Sequence, residues 1–582
     1  KVVDMNFAAI DNAIANIVEV NYPASWATTT EGAVVKSVTN DTYFNKIIAP
    51  VLAQEGDKLP VSAFVDHADG AVPTGTTKFE KRGIAVKVPV WIKENCLQCN
   101  QCAFVCPHAC ILPVAQKSDV LKDAPKAFDT VPMKNPKAKE YNFRIQISPL
   151  DCSGCGNCAN ICPAKEKALV MTPLADVLAN GEAENWNYAD ALPDSDVPIA
   201  RDTLIGSQFN RSLFEFSGAC AGCGETPYLK VITQLYGDRM IVANATGCSS
   251  IYGGSAPTCP YSKNKKGEGP AWANSLFEDN AEFGFGMLTA TNQRRIKLME
   301  DMEAVMALGV SDDLAGKFNA WMETYNDAIA NKSACDAIKA VIADAAAKEK
   351  DGAKKALLDN IAKNTDCLVK KSVWAFGGDG WAYDIGYGGL DHVPARGHNN
   401  NVVVLDTEVY SNTGGQASKS SPTGAVAKFA AGGKVTKKKD LGKMAMSYGY
   451  VYVAQVAMGA DKNQYVKALK EAEAYDGPSL IICYAPCINH GINMSNSQLE
   501  EKRAVDAGYW QLYRFNPALA EQGKNPFTLD SKEATADYKE FLLGENRYAQ
   551  LAKAKPQVAE KLFAINEKEA KERYAGYKKL SE

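Results

Sequence analysis

From about residue 240 onward, short apolar runs recur, each the length of one strand and far short of a membrane helix. They read MIVANA at 240–245, SVWAF at 372–376, NVVVLD at 401–406, YVYVAQVA at 450–457 and SLIICYA at 479–485. Helix-compatible stretches separate the last four, among them 441–448 and 461–475. Strands of this kind alternating with helices predict a parallel sheet covered on both faces, hence an α/β, doubly wound domain over 201–582. Within it, about 297–365 is rich in Ala, Glu and Lys, with Met302, Val305, Met306 and Leu308 at helical spacing, which predicts a helical insertion. The tail from 531 to 580 is helical in pattern and highly charged, as a solvated helix face is.

The first part of the chain has another texture. A helix is expected over 4–20, after which Pro, Thr and Gly interrupt any period, and a turn-rich stretch at 69–77 leads into the strand-like IAVKVPVWI at 84–92. Residues 1–85 therefore read as an irregular linking segment with little core of its own. Over 86–200 cysteines cluster, and a smaller α+β domain is expected there.

Charge removes two classes of partner. The 582 residues carry 64 Lys+Arg against 68 Asp+Glu, a net charge of −4, which gives no electrostatic reason to expect a nucleic-acid partner. No apolar run approaches the roughly 18–20 residues that cross a membrane, and no basic-then-apolar leader opens the chain. The count that needs explaining is 17 cysteines beside only 5 histidines. A secreted disulfide scaffold would be short and cysteine-dense, and scarce imidazole weakens a zinc reading, so the cysteines point to thiolate-bound metal clusters.

Their spacing sharpens this. Cys96-x2-Cys99-x2-Cys102-x3-Cys106-Pro107 is repeated by Cys152-x2-Cys155-x2-Cys158-x3-Cys162-Pro163. A tight loop can aim three thiolates at one iron–sulfur cube, while the fourth iron faces away and takes a cysteine from the other half. Cys96, Cys99, Cys102 and Cys162 are thus expected on one [4Fe–4S] cluster, and Cys152, Cys155, Cys158 and Cys106 on the other. Gly154 and Gly156 suit a backbone that must approach cluster sulfur. Zinc would gain nothing from the trailing Cys-Pro occurring twice. The insert between the arrays holds six lysines among Asp119, Asp123 and Asp129, and reads as a solvated loop rather than a docking surface for an acidic carrier.

SVWAF runs into Gly377-Gly378-Asp379-Gly380, and NVVVLD ends in Thr407-Glu408-Val409-Tyr410-Ser411-Asn412. A glycine-flanked acid after one strand and an oxygen-rich loop after another can hold a diphosphate through Mg²⁺, the arrangement of thiamine-diphosphate enzymes. No G-x-G-x-x-G with a following acid fits a dinucleotide fold. Cys220-x2-Cys223, Cys248 and Cys487 fall in the same region, the last two just after β-rich runs. They make a plausible four-thiolate cradle, with zinc or unrelated thiols as equal readings at this point. Cys483 lies inside an apolar run and reads as core, and Cys110, Cys259, Cys335 and Cys367 read as structural.

Together these elements resemble the pyruvate:ferredoxin (flavodoxin) oxidoreductases, or pyruvate synthases. The doubled array carries the resemblance with CAGCGETPY at 220–228, ATGCSSIYGG at 245–254, GGDGWAYDIGYGGLDHV at 377–393, DTEVYSNTGGQASKSSPTG at 406–424 and YAPCINHGI at 484–492. The resemblance implies a two-cluster ferredoxin-like domain at 86–200 and a third, proximal [4Fe–4S] cluster on Cys220, Cys223, Cys248 and Cys487. It implies Mg²⁺ on Asp379, Thr407 and the Val409 carbonyl. The thiamine diphosphate would be lined by Glu225, Cys248, Asp379, Gly380, Trp381, Ala382 and Thr407 to Asn412 (with Glu408, Val409, Tyr410 and Ser411 between), and Asn412 would stand near the reacting carbon.

The activity implied is coenzyme A-dependent oxidative decarboxylation of pyruvate, with electrons leaving one at a time to ferredoxin or flavodoxin. Single-chain members of the family are about twice this length. Resemblance therefore implies that this is a carboxy-terminal half, incomplete without the amino-terminal half that supplies the pyrimidine-binding domain, most pyruvate contacts and much of the coenzyme A site. A cytoplasmic homodimer of the complete enzyme is implied too. Two other readings remain at this stage: an electron-transfer subunit without bound thiamine, and an oxidoreductase for another 2-oxoacid.

Overall fold

The computed structural model describes residues 2–28, 39–255 and 257–582. Among the described residues there are thirteen strands. The first five form the cysteine-rich unit: β1 (Lys87–Trp91), β2 (Ile111–Lys117), β3 (Val131–Pro132), β4 (Tyr141–Ile147) and β5 (Leu169–Pro173). β1 pairs antiparallel with β5, closing the unit on itself, and β4 lies antiparallel between β2 and β3. Its core gathers Phe143, Ile145, Leu169 and Trp186 around Cys96, Cys106, Cys110 and Cys158.

The larger unit is built on β6 (Met240–Asn244), β7 (Ala271–Asn274), β8 (Ser372–Gly378), β9 (Asn401–Asp406), β10 (Tyr452–Val456), β11 (Ser479–Tyr484), β12 (Tyr513–Phe515) and β13 (Phe527–Leu529). They form one sheet in the order β13-β12-β10-β11-β9-β8-β6-β7, parallel from β10 to β7 and antiparallel at β12 and β13. The unbroken apolar runs have a simple cause. Val402, Val404, Leu480 and Ile482 enter the core on one face, and Val403, Leu405, Ile481 and Cys483 enter the core on the other. A strand buried on both faces has no position for a polar residue. Burying each such Val, Leu or Ile contributes about 1.5–3 kcal/mol, so a charge at Val404 would undo the sheet centre.

The predicted helical insertion sits between β7 and β8. Its first helix begins earlier than expected, at Asn280, and runs to Ala307, because Ala281 and Leu288 are already buried there. Four more helices follow, Asp312–Glu323, Ala328–Lys339, Ile342–Lys348 and Gly352–Lys363, around a core with Phe318, Trp321, Cys335 and Cys367. The charged tail is more than a solvated face. Its helix Pro556–Ser581 buries Leu562, Phe563, Ala570 and Tyr577 against the sheet unit.

The expected helix over 4–20 is shorter: Val2–Asp11, then one turn at Ile14–Asn16. Every residue from 3 to 27 is exposed, so no packed apolar face carries the helix further. Further on, the segment acts as a strap. Gly75 N donates to Tyr261 O, Cys259 N to Thr76 Oγ1 at 2.8 Å, and Thr77 Oγ1 to Glu215 O at 2.8 Å. No helix among the described residues is long and apolar enough to cross a membrane.

Candidate cluster and cofactor site

The connections leaving β6 and β8 run to opposite sides of the sheet, and in open α/β sheets the crevice at the carboxyl ends of such strands is where ligands bind. Cys248 follows β6, Asp379 follows β8, Thr407 follows β9 and Cys487 follows β11, so four of the candidate residues emerge at this one edge.

Three oxygens converge there. Thr407 Oγ1 lies 2.9 Å from Asp379 Oδ1 and 3.0 Å from the Val409 carbonyl oxygen. An octahedral Mg²⁺ with oxygens at about 2.1 Å sets neighbouring ligands about 3.0 Å apart, so this trio fits the ion. Asp379 is buried; Thr407 N donates to its Oδ1 at 3.2 Å, and Ser418 Oγ to its Oδ2 at 2.6 Å. Burial, then the neighbouring Asp406 carboxylate, push the Asp379 carboxyl well above its ordinary range, a penalty that a divalent cation would reverse. The loop is pinned from behind as well, because His490 Nε2 donates to the Thr407 carbonyl at 2.8 Å.

Gly380 is required by contact. A Cβ there would stand 2.4 Å from two atoms of the Tyr410 ring, which covers the start of the turn Gly380–Ile385. Trp381 and Ala382 in that turn are buried in the core. Glu408 is engaged elsewhere. Its Oε1 accepts from Lys438 at 2.9 Å, and its Oε2 accepts from Tyr509 at 2.5 Å and Arg547 at 2.8 Å. Burial pushes that carboxyl up, but Lys438 and Arg547 outweigh it and hold it down at about 2. What Glu408 can offer a cofactor is backbone. Asn412 is exposed at the rim.

The four cysteines beyond the arrays come together. The Gly224 amide donates to Pro486 O at 3.1 Å, joining the Cys220–Cys223 loop to the residue before Cys487. Cys248 lies within electrostatic range of Cys487 and Cys220, and Cys223 within range of Cys248. Cys248 Sγ is also 3.4 Å from Ser411 Oγ, so this set borders the Asp379–Thr407 site directly. Glu225 is buried beside it, its Oε2 accepting from Tyr252 OH at 2.8 Å, and burial, opposed by that bond, pushes its carboxyl up to about 7.

The structure brings cysteines of the two arrays beside one another. Cys99 and Cys102 interact electrostatically with Cys96 and Cys162, whereas Cys152 and Cys155 interact with Cys106. The loops also repeat in backbone. Gln98 and Asn100 in the first, and Gly154 and Gly156 in the second, are left-handed at matching positions. Gln98 N then points at Cys96 Sγ at 3.4 Å, Gly154 N at Cys152 Sγ at 3.3 Å and, in the third set, Glu225 N at Cys223 Sγ at 3.4 Å. Amides turned onto sulfur are what an anionic iron–sulfur cluster needs. A zinc tetrahedron needs thiolates about 3.8 Å apart. Among the described residues no three His, Cys, Asp or Glu side chains are placed to hold a single metal ion. Cys110, Cys259, Cys335, Cys367 and Cys483 are all buried thiols outside these sets.

The second array abuts the third set. Cys155 accepts a hydrogen bond from the Gly222 backbone, and a Cβ on Gly222 would stand 2.4 Å from Met494 O. Asn157 Nδ2 donates to Ser497 Oγ at 2.9 Å and Asn160 Nδ2 to Ser495 O at 2.9 Å. Sequence reasoning did not single out Ser418, His490 or Lys438. The first two lie inside conspicuous motifs, but their roles depend on contacts across 39 and 83 residues.

Comparison with known proteins agrees with this geometry. Residues 89–163 match a 4Fe-4S dicluster domain, 352–483 a thiamine pyrophosphate enzyme C-terminal TPP-binding domain, and 30–85 a domain of unknown function. A pyruvate:ferredoxin oxidoreductase of Moorella thermoacetica is 57% identical over 582 residues, covering 100% of this chain and 49% of that protein. A pyruvate-flavodoxin oxidoreductase of Klebsiella pneumoniae is 53% identical, with the same coverage of 100% and 49%. A mitochondrial pyruvate dehydrogenase [NADP(+)] of Euglena gracilis is 46% identical across 100% of this chain and 32% of its own length. The chain spans about half the length, or less, of these curated relatives. Over its full length it is a close relative of the pyruvate:ferredoxin and pyruvate-flavodoxin oxidoreductases, and it carries a 4Fe-4S dicluster unit followed by a thiamine pyrophosphate-binding domain.

Proposed function

We propose that this chain is the thiamine-binding and electron-carrying part of an enzyme that converts pyruvate and coenzyme A to acetyl-CoA and carbon dioxide, reversibly. Two electrons leave singly through three [4Fe–4S] clusters to ferredoxin or flavodoxin. One observation carries the reading: the oxygen trio of Asp379, Thr407 and Val409 stands beside Cys248, a member of a four-cysteine set. A thiamine site alone would serve many reactions. A thiamine site touching a one-electron acceptor serves oxidation of the decarboxylated substrate by single electrons.

In this reading the trio holds Mg²⁺ and through it the diphosphate. Residues 201–582 are the doubly wound thiamine domain, 86–200 the ferredoxin-like domain and 1–85 the link. Bound thiamine supplies an electron sink for decarboxylation. Cys220, Cys223, Cys248 and Cys487 hold the proximal cluster, and the contact of Cys155 with Gly222 makes the Cys152, Cys155, Cys158 and Cys106 cluster the next acceptor. The Cys96, Cys99, Cys102 and Cys162 cluster follows. Asn412, at the open rim, faces the substrate. The amino-terminal half of the enzyme supplies the pyrimidine-binding domain, the pyruvate contacts and most of the coenzyme A site, and the complete enzyme works as a cytoplasmic homodimer.

The test is ferredoxin reduction by the complete enzyme with coenzyme A, comparing pyruvate with 2-oxoglutarate, together with thiamine content per chain. Pyruvate is expected to turn over faster, with one thiamine bound. Faster turnover of 2-oxoglutarate would end the pyruvate assignment, and absence of bound thiamine would leave an electron-transfer subunit.

A further inference from the structure

Among the described residues Lys230 is the single fully buried lysine, 2% exposed, on the helix Thr226–Tyr236 that follows the Cys220–Cys223 loop. An ammonium taken out of water without an ionic partner is strongly disfavoured, because neutral acceptors return less than hydration gave. Lys438, the other deeply set lysine, shows the usual remedy by pairing with Asp406 and Glu408. Lys230 has no such pair. Its Nζ donates to the carbonyls of Ala103 and Phe104, the latter at 2.9 Å, and reaches Gln208 Oε1 at 3.4 Å. The ionisable side chains that act on it are Cys106, Cys102 and Cys110, with no carboxylate among them.

The location is specific. Ala103 and Phe104 lie between Cys102, which belongs to one array set, and Cys106, which crosses to the other. The ammonium thus sits at the seam between the two cages, delivered there by a helix of the thiamine-binding unit. A protein with empty cages offers it only carbonyl dipoles. Filled cages offer two anionic tetrathiolate clusters.

We propose that Lys230 is the fixed cation that raises the reduction potentials of both ferredoxin-type clusters. This rests on reading the eight array cysteines as two [4Fe–4S] clusters. Each cluster accepts one electron released by 2-oxoacid oxidation and passes it on, with no bond made or broken at the protein. The arriving electron adds negative charge beside the ammonium. In a poorly screened interior that attraction favours the reduced state. The ionisable groups that act on Lys230 are Cys106, Cys102 and Cys110, none of them from the third set, which lies outside its main influence.

The experiment is a redox titration of the holoenzyme followed by electron paramagnetic resonance, with Lys230→Met, Lys230→Gln and Lys230→Arg. Gln keeps an amide donor for the Ala103 and Phe104 carbonyls but no charge, which separates electrostatics from tethering. In Lys230→Met and Lys230→Gln the reduced-to-oxidised ratio of both ferredoxin-type clusters should fall about tenfold at a given potential, equivalent to about 59 mV for one electron. The third cluster should stay unmoved, and Lys230→Arg should keep wild-type potentials. Unchanged ferredoxin-type potentials in Lys230→Gln would overturn the proposal and leave Lys230 a hydrogen-bonding tether. If Lys230→Met fails to load iron, Lys230→Gln carries the same test. Wild-type protein lacking the two ferredoxin-type signals would instead remove the cluster reading beneath it.

Discussion

Ser418→Ala isolates the support beneath Asp379. The Ser418 hydroxyl donates to Asp379 Oδ2 at 2.6 Å, while the bonds from Thr407 both go to Oδ1, so the substitution strips Oδ2 of its partner. Both residues are buried, at 4% and 1% exposure, so bulk water does not replace the lost donor. A hydrogen bond to a charged group is worth about 1.5–3 kcal/mol. Loss of an outer partner of a metal ligand typically costs about 10–100-fold in metal affinity, which is about 1.4–2.8 kcal/mol, and the two figures agree. Calorimetric titration of thiamine diphosphate at fixed Mg²⁺ should therefore show affinity down about 10–100-fold, with iron content unchanged. Asp379→Asn, which removes the ligand charge itself, should abolish Mg²⁺-dependent binding and also leave iron intact. Affinity within twofold of wild type in Ser418→Ala would refute the role given to Asp379 Oδ2. Loss of iron in parallel would show that the fold, not the metal site, had failed.

Cys487→Ser should lower iron from about twelve to about eight atoms per chain, read by iron and sulfide analysis, and unchanged iron would remove Cys487 from the ligand set. Glu215 is 6% exposed; burial, opposed by Arg211 at 3.9 Å, pushes its carboxyl from 4.5 up to about 7. Because the folded value lies above the unfolded one, its stabilising protonated form is complete below about pH 4.5 and is lost as pH rises to about 7. Glu215→Gln should then gain up to about 3 kcal/mol over wild type at pH 8 and little at pH 5; equal thermal shifts at both would contradict this.

Much of the site was legible because its chemistry is written locally. The two repeated arrays set which cysteines come near one another, and strand ends fix where Cys248, Asp379, Thr407 and Cys487 emerge. Period-two burial of 402–405 and 480–483 on opposite faces explains why those runs read so plainly. What stayed hidden depends on distant contacts. The charged tail looks solvated in sequence, yet Arg547 and Glu545 are buried and close an ion network with Glu408 and Lys438. A charge run carries no mark of which members find partners across the fold. The first helix is shorter than expected for a similar reason, since apolar spacing over 4–20 does not say whether that face finds anything to pack against, and residues 3–27 are all exposed.

The backbone-tight join between the second array and the Cys220–Cys223 loop has a kinetic consequence. With Cys155 taking a hydrogen bond from the Gly222 backbone, and Asn157 and Asn160 bonded to 495–497, neither unit can swing relative to the other without breaking these contacts. In the proposed enzyme, distances between the cluster sites would then be constant through turnover. Electron flow between them would need no gating motion, and the rate-limiting event would lie in the chemistry or in the arrival and departure of the proposed external carrier.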